Sequence, residues 1–140
     1  CVLMAQLETL AYFDNEDNVE SQEDEGLPWA ASGWMEGDTL APPCGSAMLV
    51  VDALLDLAGV TSSDTVLDLG AGDGRVAIHA SVKYKCKSWG VEIDPVEAQK
   101  FRQNIERFGL GDLCCVEEKD LADIGDISST TVVCLYLLPG

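Results

Sequence analysis

A turn built from closely spaced glycines and opened by an acid is the part of this sequence that most clearly suggests chemistry. It reads DLGAGDGR over residues 68–75 and follows a short apolar, β-branched segment. Glycines let the chain turn sharply and let backbone N–H groups approach a ligand with no Cβ in the way. A dinucleotide fingerprint has the spacing G-x-G-x-x-G, whereas the spacing here is G-x-G-x-G. The acid, Asp68, would oppose a pyrophosphate and suits a ligand that carries an ammonium group.

Two further acids follow the next two predicted strands. Glu92 ends the second strand, with Ile93 beside it, where a carboxylate can accept hydrogen bonds from both hydroxyls of a ribose. Asp120 follows the third strand, where it can accept from an adenine amine while Leu121 covers the ring. Together with the glycine turn, these acids predict one nucleoside-binding site, and S-adenosyl-L-methionine has both the nucleoside and the ammonium group.

The elements that must position this site alternate between strand and helix, which predicts an α/β fold with right-handed crossovers. Strand four is nearly continuous apolar sequence, as in a strand buried on both faces. Ser46 is predicted to cap the first helix. The predicted sheet is parallel, of Rossmann-like order 3-2-1-4. Strands are predicted at residues 65–69, 88–93, 113–116 and 130–138, and helices at residues 46–57, 74–84 and 95–108.

Charge is distributed very unevenly. The first 74 residues contain 15 acids and no base, whereas residues 75–140 contain 10 acids and 8 bases. Residues 1–42 are predicted to be an acidic, largely disordered extension, and residues 43–140 the folded domain. Such a charge disfavours nucleic acid and anionic membranes, which bind Lys and Arg. It favours a basic protein partner, although an acidic segment that only aids solubility is the plainer interpretation. The sequence does not indicate the oligomeric state.

Cysteine usage and targeting signals are those of an intracellular protein. The six cysteines form no C-x-x-C pair and His79 is the only histidine, so no metal site is predicted. His79 itself is predicted to be a structural residue. No apolar run approaches a membrane span, and the N-terminus lacks the basic residues of a signal peptide or presequence. A cytoplasmic location is the default expectation, with a mitochondrial or nuclear one left open.

Four motifs give the sequence a family resemblance. VLDLGAGDGR at residues 66–75 resembles motif I of the class I, seven-strand S-adenosylmethionine-dependent methyltransferases. GVEIDP at residues 90–95 and EEKDLAD at residues 117–123 are similar to their ribose and adenine motifs. With LYLLP at residues 135–139, the set resembles methyltransferase-domain proteins related to protein-lysine methyltransferases.

The resemblance implies a role for each matching position. Asp68, Gly70, Ala71, Gly72 and Gly74 would contact the methionine part of the cofactor, Glu92 and Ile93 the ribose, and Asp120 and Leu121 the adenine. The family's domain usually begins with a Tyr-Val-Pro-Thr-Pro-like stretch, and this sequence keeps only its hydroxyl, at Ser46. Tyr136 is a candidate for shaping the acceptor channel, with a core strand residue slightly favoured instead. Because the family's sheet continues for three further strands, we expect the chain to be a fragment of a longer protein.

Three functions remain open at this point. The first is a methyltransferase, acting on a protein lysine, which the motifs and the acidic charge favour. The second is a non-catalytic cofactor-binding or interaction module, which an incomplete fold favours. The third is a nicotinamide-dependent oxidoreductase, which the glycine spacing disfavours.

Overall fold

Strands and helices alternate along the chain as the sequence predicts. The computed structural model describes residues 11–14 and 45–137. Residues 11–14 are helical. The elements that follow are α1 (Met48–Leu57), β1 (Thr65–Leu69), α2 (Arg75–Tyr84), β2 (Lys87–Glu92), α3 (Pro95–Arg107), β3 (Cys114–Glu118), a 3₁₀ turn (Leu121–Asp123) and β4 (Val132–Leu135).

The four strands form one parallel sheet in the order β3-β2-β1-β4. This confirms the predicted Rossmann-like order, and β4 lies at one edge as expected. In the register of the sheet, Asp68 of β1 lies between Gly90 of β2 and Cys134 of β4. The strand order reverses beside β1, so the residues that follow β1 open at the switch point where such sheets bind ligands.

The core joins all three helices to one face of the sheet. Apolar residues recur at helical spacing in each helix, and they pack against β1 and β3. The helical spacing predicts Val96, Ala98, Phe101 and Ile105 on the apolar face of α3. The last three are buried, but Val96 is exposed because it lies on the solvent side of the first turn. Cys114 is buried and Cys115 is exposed, because neighbouring residues of β3 point to opposite faces of the sheet. The largest fully buried side chains are Phe13, Phe101, Met48, Leu55, Leu67, Ile78 and His79.

The start of α1 differs from the prediction. Ser46 does not cap this helix, because the cap position is Ala47, which has no side-chain acceptor. The acceptor comes from a distant part of the chain instead, since the Met48 N–H donates to Asp14 Oδ1 at 3.4 Å. The helical spacing of the apolar residues predicts Leu54 on the buried face of the helix, but it is 56% exposed. Gly59 follows the end of the helix, with φ at +67°.

The fourth strand is shorter and less buried than its sequence predicts. Val133 and Leu135 are 49% and 62% exposed, so β4 is not buried on both faces. They pair with Leu67 and Leu69, on the sheet face opposite to the helices. Within the described residues no strand lies on the outer side of β4, and an edge strand buries less of its side chains than a central one.

Residues 11–14 contribute to the domain although they lie within the segment assigned to the acidic extension. Phe13 is fully buried in the core, and Tyr12 packs against it edge to face. The remainder of residues 1–42 lies outside the described residues, so its disorder stays a prediction. Across the described ranges, no helix has both the length and the apolar character that crossing a bilayer requires.

We expect Gly74→Ala to destabilise the fold by about 3 kcal/mol, combining left-handed strain with overpacking. Gly74 has φ at +84°, and a Cβ there would collide with the ring of Phe101. Gly59→Ala is the matched control, because Gly59 has φ at +67° but no atom within 4 Å of the added Cβ. Urea denaturation of both variants measures the difference. Equal losses of stability would show that Phe101 does not press on the turn.

Candidate functional site

The glycine turn after β1 is fixed by backbone hydrogen bonds. The Gly70 and Ala71 N–H groups both donate to the Val91 carbonyl, at 2.9 and 3.0 Å. Gly70, Gly72 and Gly74 have φ values of +80°, +53° and +84°, which glycine adopts readily. A Cβ on Gly72 would meet no atom within 4 Å, so the main chain there borders open space.

Glu92 holds this turn against the end of β2. Its Oε2 accepts from the Gly72 N–H at 2.6 Å, and its Oε1 accepts from the Ile93 and Asp94 N–H groups at 2.9 Å each. The side chain is almost fully buried, with the residue 9% exposed. One carboxylate therefore fixes two neighbouring loops at the rim of the sheet.

Asp68 is the most perturbed group of the site. It is 5% exposed, and burial, with the nearby charges of Asp73 and Glu92, raises its pKa to about 7. Within the described residues neither a hydrogen bond nor a cation acts on its carboxyl, since burial and the two neighbouring acids account for the shift. A buried carboxylate without a cation is costly, and a site that perturbs an acid in this way is a candidate for binding a positive group.

Asp73 and Arg75 form a compact pair within the turn. The Asp73 carboxylate accepts from the Arg75 backbone N–H and from its guanidinium, with the shortest distance 2.8 Å. Arg75 also donates to the Ser46 carbonyl at 3.0 Å, which places Ser46 next to the turn. The sequence predicts no role for Arg75, because an Arg that follows a glycine turn does not indicate its own partner.

The remaining predicted site residues lie further out on the same rim. Asp120 is exposed and caps the 3₁₀ turn by accepting from the Ala122 N–H at 2.8 Å. The adjacent Lys119 N–H donates to the Glu92 carbonyl, which places this loop beside the end of β2. Leu121 is half-buried and Ile93 is 46% exposed.

The residues after β4 complete this edge of the site. Tyr136 is 62% exposed, so the alternative of a core residue for this position is wrong. The strand ends at Leu135, one residue earlier, which releases Tyr136 from the sheet. Leu137 lies over the glycine turn, since a Cβ on Gly70 would come within 2.6 Å of Leu137 Cδ2.

Asn104 is a site-supporting residue that the sequence analysis missed. It is 6% exposed, and its Nδ2 donates to the Asp73 carbonyl at 3.0 Å. It lies three residues after Phe101 and next to Ile105, within the buried stripe of α3. The sequence does contain a signal for this role, because Asn104 is a polar residue at a position of the helical repeat that is otherwise apolar.

Comparison with known families gives this geometry a context. A family model described as Histone methylation protein DOT1 matches residues 46–110. A protein-lysine N-methyltransferase of Saccharolobus islandicus is 37% identical over 90 residues, which cover 64% of this chain and 55% of that protein. A tRNA1(Val) (adenine(37)-N6)-methyltransferase of Shewanella amazonensis is 36% identical over 81 residues, covering 57% of this chain and 35% of that protein.

A solved structure extends the likeness to three dimensions. An RNA methyltransferase from Salinibacter ruber, in complex with S-adenosyl-L-homocysteine, is 43% identical with a TM-score of 0.66. The match covers 69% of this chain and 62% of that one. The chain has the class I S-adenosylmethionine-dependent methyltransferase fold. It spans little more than half the length of the lysine methyltransferase and about three-fifths of the Salinibacter enzyme.

S-adenosyl-L-methionine is the cofactor that the class I methyltransferase fold implies, and the residues present fit it. Asp68 offers a buried carboxylate that has no cation among the described residues. Gly72 presents main chain to open space, which a ligand needs for close approach. The chemistry of this rim therefore matches a ligand with an ammonium group and a nucleoside.

The raised pKa of Asp68 predicts a pH-dependent stability of the unliganded protein. In the folded state the Asp68 carboxyl keeps its proton up to about pH 7, whereas in the unfolded chain it loses it near pH 4. This carboxyl therefore lowers the free energy of unfolding increasingly as the pH rises from about 4 to about 7, and the full loss is reached above pH 7. Asp68→Asn should therefore raise stability by a few kcal/mol, on the order of 3, near pH 8 and by little near pH 4.

Thermal denaturation at several pH values measures this effect. Asp112→Asn is the control, because Asp112 is exposed and the substitution removes an acid without changing the buried site. A gain from Asp68→Asn that is equal at all pH values would contradict the buried, partnerless carboxyl.

Proposed function

We propose that this protein is an S-adenosylmethionine-dependent methyltransferase whose acceptor is the amine of a lysine in a basic protein. The observation that carries the proposal is the Asp68 carboxyl, which is buried beside the glycine turn. Glu92 fixes that turn by accepting from the Gly72 N–H. The lysine acceptor is supported by the matched lysine methyltransferase of Saccharolobus islandicus and by the charge of the rim.

In this proposal each acid takes one part of the cofactor. The Asp68 carboxylate pairs with the ammonium of the methionine part, which lowers the cost of its charge. The main chain at Gly70, Ala71, Gly72 and Gly74 lines the same part, and Ser46 lies beside it. Asp120 accepts from the adenine amine, and Leu121 and Ile93 cover apolar surfaces of the nucleoside.

Glu92 has both a structural and a binding role in the proposal. A carboxylate has about four acceptor positions, and three backbone N–H groups already use this one. About one position is left for a ribose hydroxyl. That position is on Oε2, which already accepts from the Gly72 N–H. Binding of the ribose and the shape of the turn are therefore coupled through this oxygen.

The transfer requires a neutral acceptor amine aligned with the methyl group. The bound cofactor supplies a methyl group on a positively charged sulfur. The acceptor amine would take that methyl group, and the protein's main contribution would be to align the two groups and to exclude water. In this proposal the exposed side chain of Tyr136, together with Leu137 over Gly70, forms an apolar wall that favours the neutral amine.

The charge of the rim favours a basic acceptor over RNA. In the described loops that follow the strands there are five acids, at positions 73, 94, 120, 123 and 126, and one base, Lys119. Lys119 is itself paired with Glu117. RNA binding depends on Lys and Arg side chains that neutralise the phosphates. The acids of this rim would instead repel the phosphates. RNA is the second candidate because the Salinibacter enzyme is an RNA methyltransferase.

Calorimetric titration with two ligands separates the roles of the acids. We expect Asp68→Asn to weaken binding of S-adenosylhomocysteine by about tenfold or more, since a charge-assisted hydrogen bond is lost. Methylthioadenosine lacks the amino acid end, and its affinity should be unchanged. Glu92→Gln should weaken both ligands, because it loosens the turn and the ribose contact.

Two results would contradict these assignments. Equal weakening of both ligands by Asp68→Asn would remove Asp68 from the methionine end. Unchanged affinity in Glu92→Gln, with the fold intact by thermal denaturation, would remove Glu92 from the site.

Transfer of a radioactive methyl group from S-adenosylmethionine tests the acceptor. We expect label in a lysine-rich basic protein and none in tRNA, and no label once the lysines are acetylated, because acetylation removes the nucleophilic amine. Label in tRNA alone would establish the RNA alternative. Binding of the cofactor with no transfer to either acceptor would favour the non-catalytic module.

A further inference from the structure

Residues 11–14 are connected to the glycine turn by a chain of hydrogen bonds. The Tyr12 hydroxyl donates to Asn104 Oδ1 at 2.9 Å, and Asn104 Nδ2 donates to the Asp73 carbonyl at 3.0 Å. Asn104 is buried, so both halves of its amide are matched to one partner each. Two hydrogen bonds thus join Tyr12 to the main chain of the turn.

A second route runs through Phe13. This ring is fully buried, and the Arg75 guanidinium lies 5.5 Å from its centroid. The same guanidinium bonds the Asp73 carboxylate and the Ser46 carbonyl. Phe13 therefore covers one side of the group that fixes the Asp73 side chain, while Tyr12 acts on the Asp73 carbonyl.

Further contacts hold residues 11–14 in place. Tyr12 packs edge to face on Phe108, with centroids 5.6 Å apart, and Arg107 lies 4.3 Å from the Tyr12 centroid. Asp14 accepts from the first N–H of α1, the Met48 N–H, at 3.4 Å. The segment thus joins the end of α3, the start of α1 and the turn.

We propose that residues 11–14 are a positioning element of the cofactor site, which we call the N-terminal clasp. The clasp fixes the Asp73 peptide from the side of the helices, and thereby fixes the direction of the adjoining Gly72 and Gly74 main chain. A turn held in its binding conformation loses less entropy when the ligand binds, so its affinity is higher. This inference rests on the proposed function, in which the turn binds S-adenosylmethionine.

The variant Tyr12→Phe tests the clasp, because it removes the hydroxyl and keeps the ring contacts. We expect the Kd for S-adenosylhomocysteine to rise by about fivefold, the effect of one neutral hydrogen bond. Tyr84→Phe is the matched control, since Tyr84 donates to Asp56 Oδ1 at 2.6 Å at the opposite end of α2. It should leave the Kd unchanged, and thermal denaturation reports the loss of stability in each variant.

A double variant tests the connection through Asn104. Asn104→Leu removes both hydrogen bonds at similar volume, and we expect it to weaken S-adenosylhomocysteine binding more than Tyr12→Phe does. Adding Tyr12→Phe to Asn104→Leu should then have no further effect on the Kd, because the connection is already broken.

Each outcome of these titrations has a distinct meaning. If the wild-type protein binds and Tyr12→Phe changes only the thermal midpoint, as Tyr84→Phe does, the clasp is merely structural and the inference is wrong. Additive effects of Tyr12→Phe and Asn104→Leu would also contradict it. If the wild-type protein fails to bind S-adenosylhomocysteine, the proposed function falls first and the clasp with it.

Discussion

The candidate site depends on one carboxylate that holds two loops together. Glu92 accepts the Gly72 N–H with one oxygen and the N–H groups of its own turn with the other. Backbone N–H groups at sharp turns otherwise lack a partner, and leaving them buried without one is costly. Because the bonds cross from β2 to the turn after β1, the strand ends and the glycine turn form one rigid rim.

The second constraint on the site is the close packing of the glycine turn against Phe101 of α3. A side chain on Gly74 would collide with Phe101, and one on Gly90 would meet both Phe101 and Ala71. Close approach of α3 to the sheet therefore requires glycine at both positions, whereas Gly72 faces open space. The glycines of the motif thus serve two purposes, since some allow packing on the helix side and one leaves room on the ligand side.

Much of this arrangement could be predicted from sequence because it depends on local patterns. Alternating strands and helices, the reversal of strand order beside β1 and the acid at the end of β2 follow from apolar periodicity and from the rules of parallel sheets. The exposure of Val133 and Leu135 could not be read from the sequence, because it depends on what lies beside β4. The links from Tyr12 to Asn104 and from Asp14 to Met48 join residues 92 and 34 positions apart, and no local pattern reports such pairs.

The Asp14–Met48 contact also has a topological consequence. Asp14 and Met48 are 34 positions apart in the sequence, so the hydrogen bond between them closes a loop in the chain. The entropy cost of closing a loop rises only with the logarithm of its length. A change in the number of residues between these two positions should therefore weaken the contact far less than loss of the Asp14 carboxylate would.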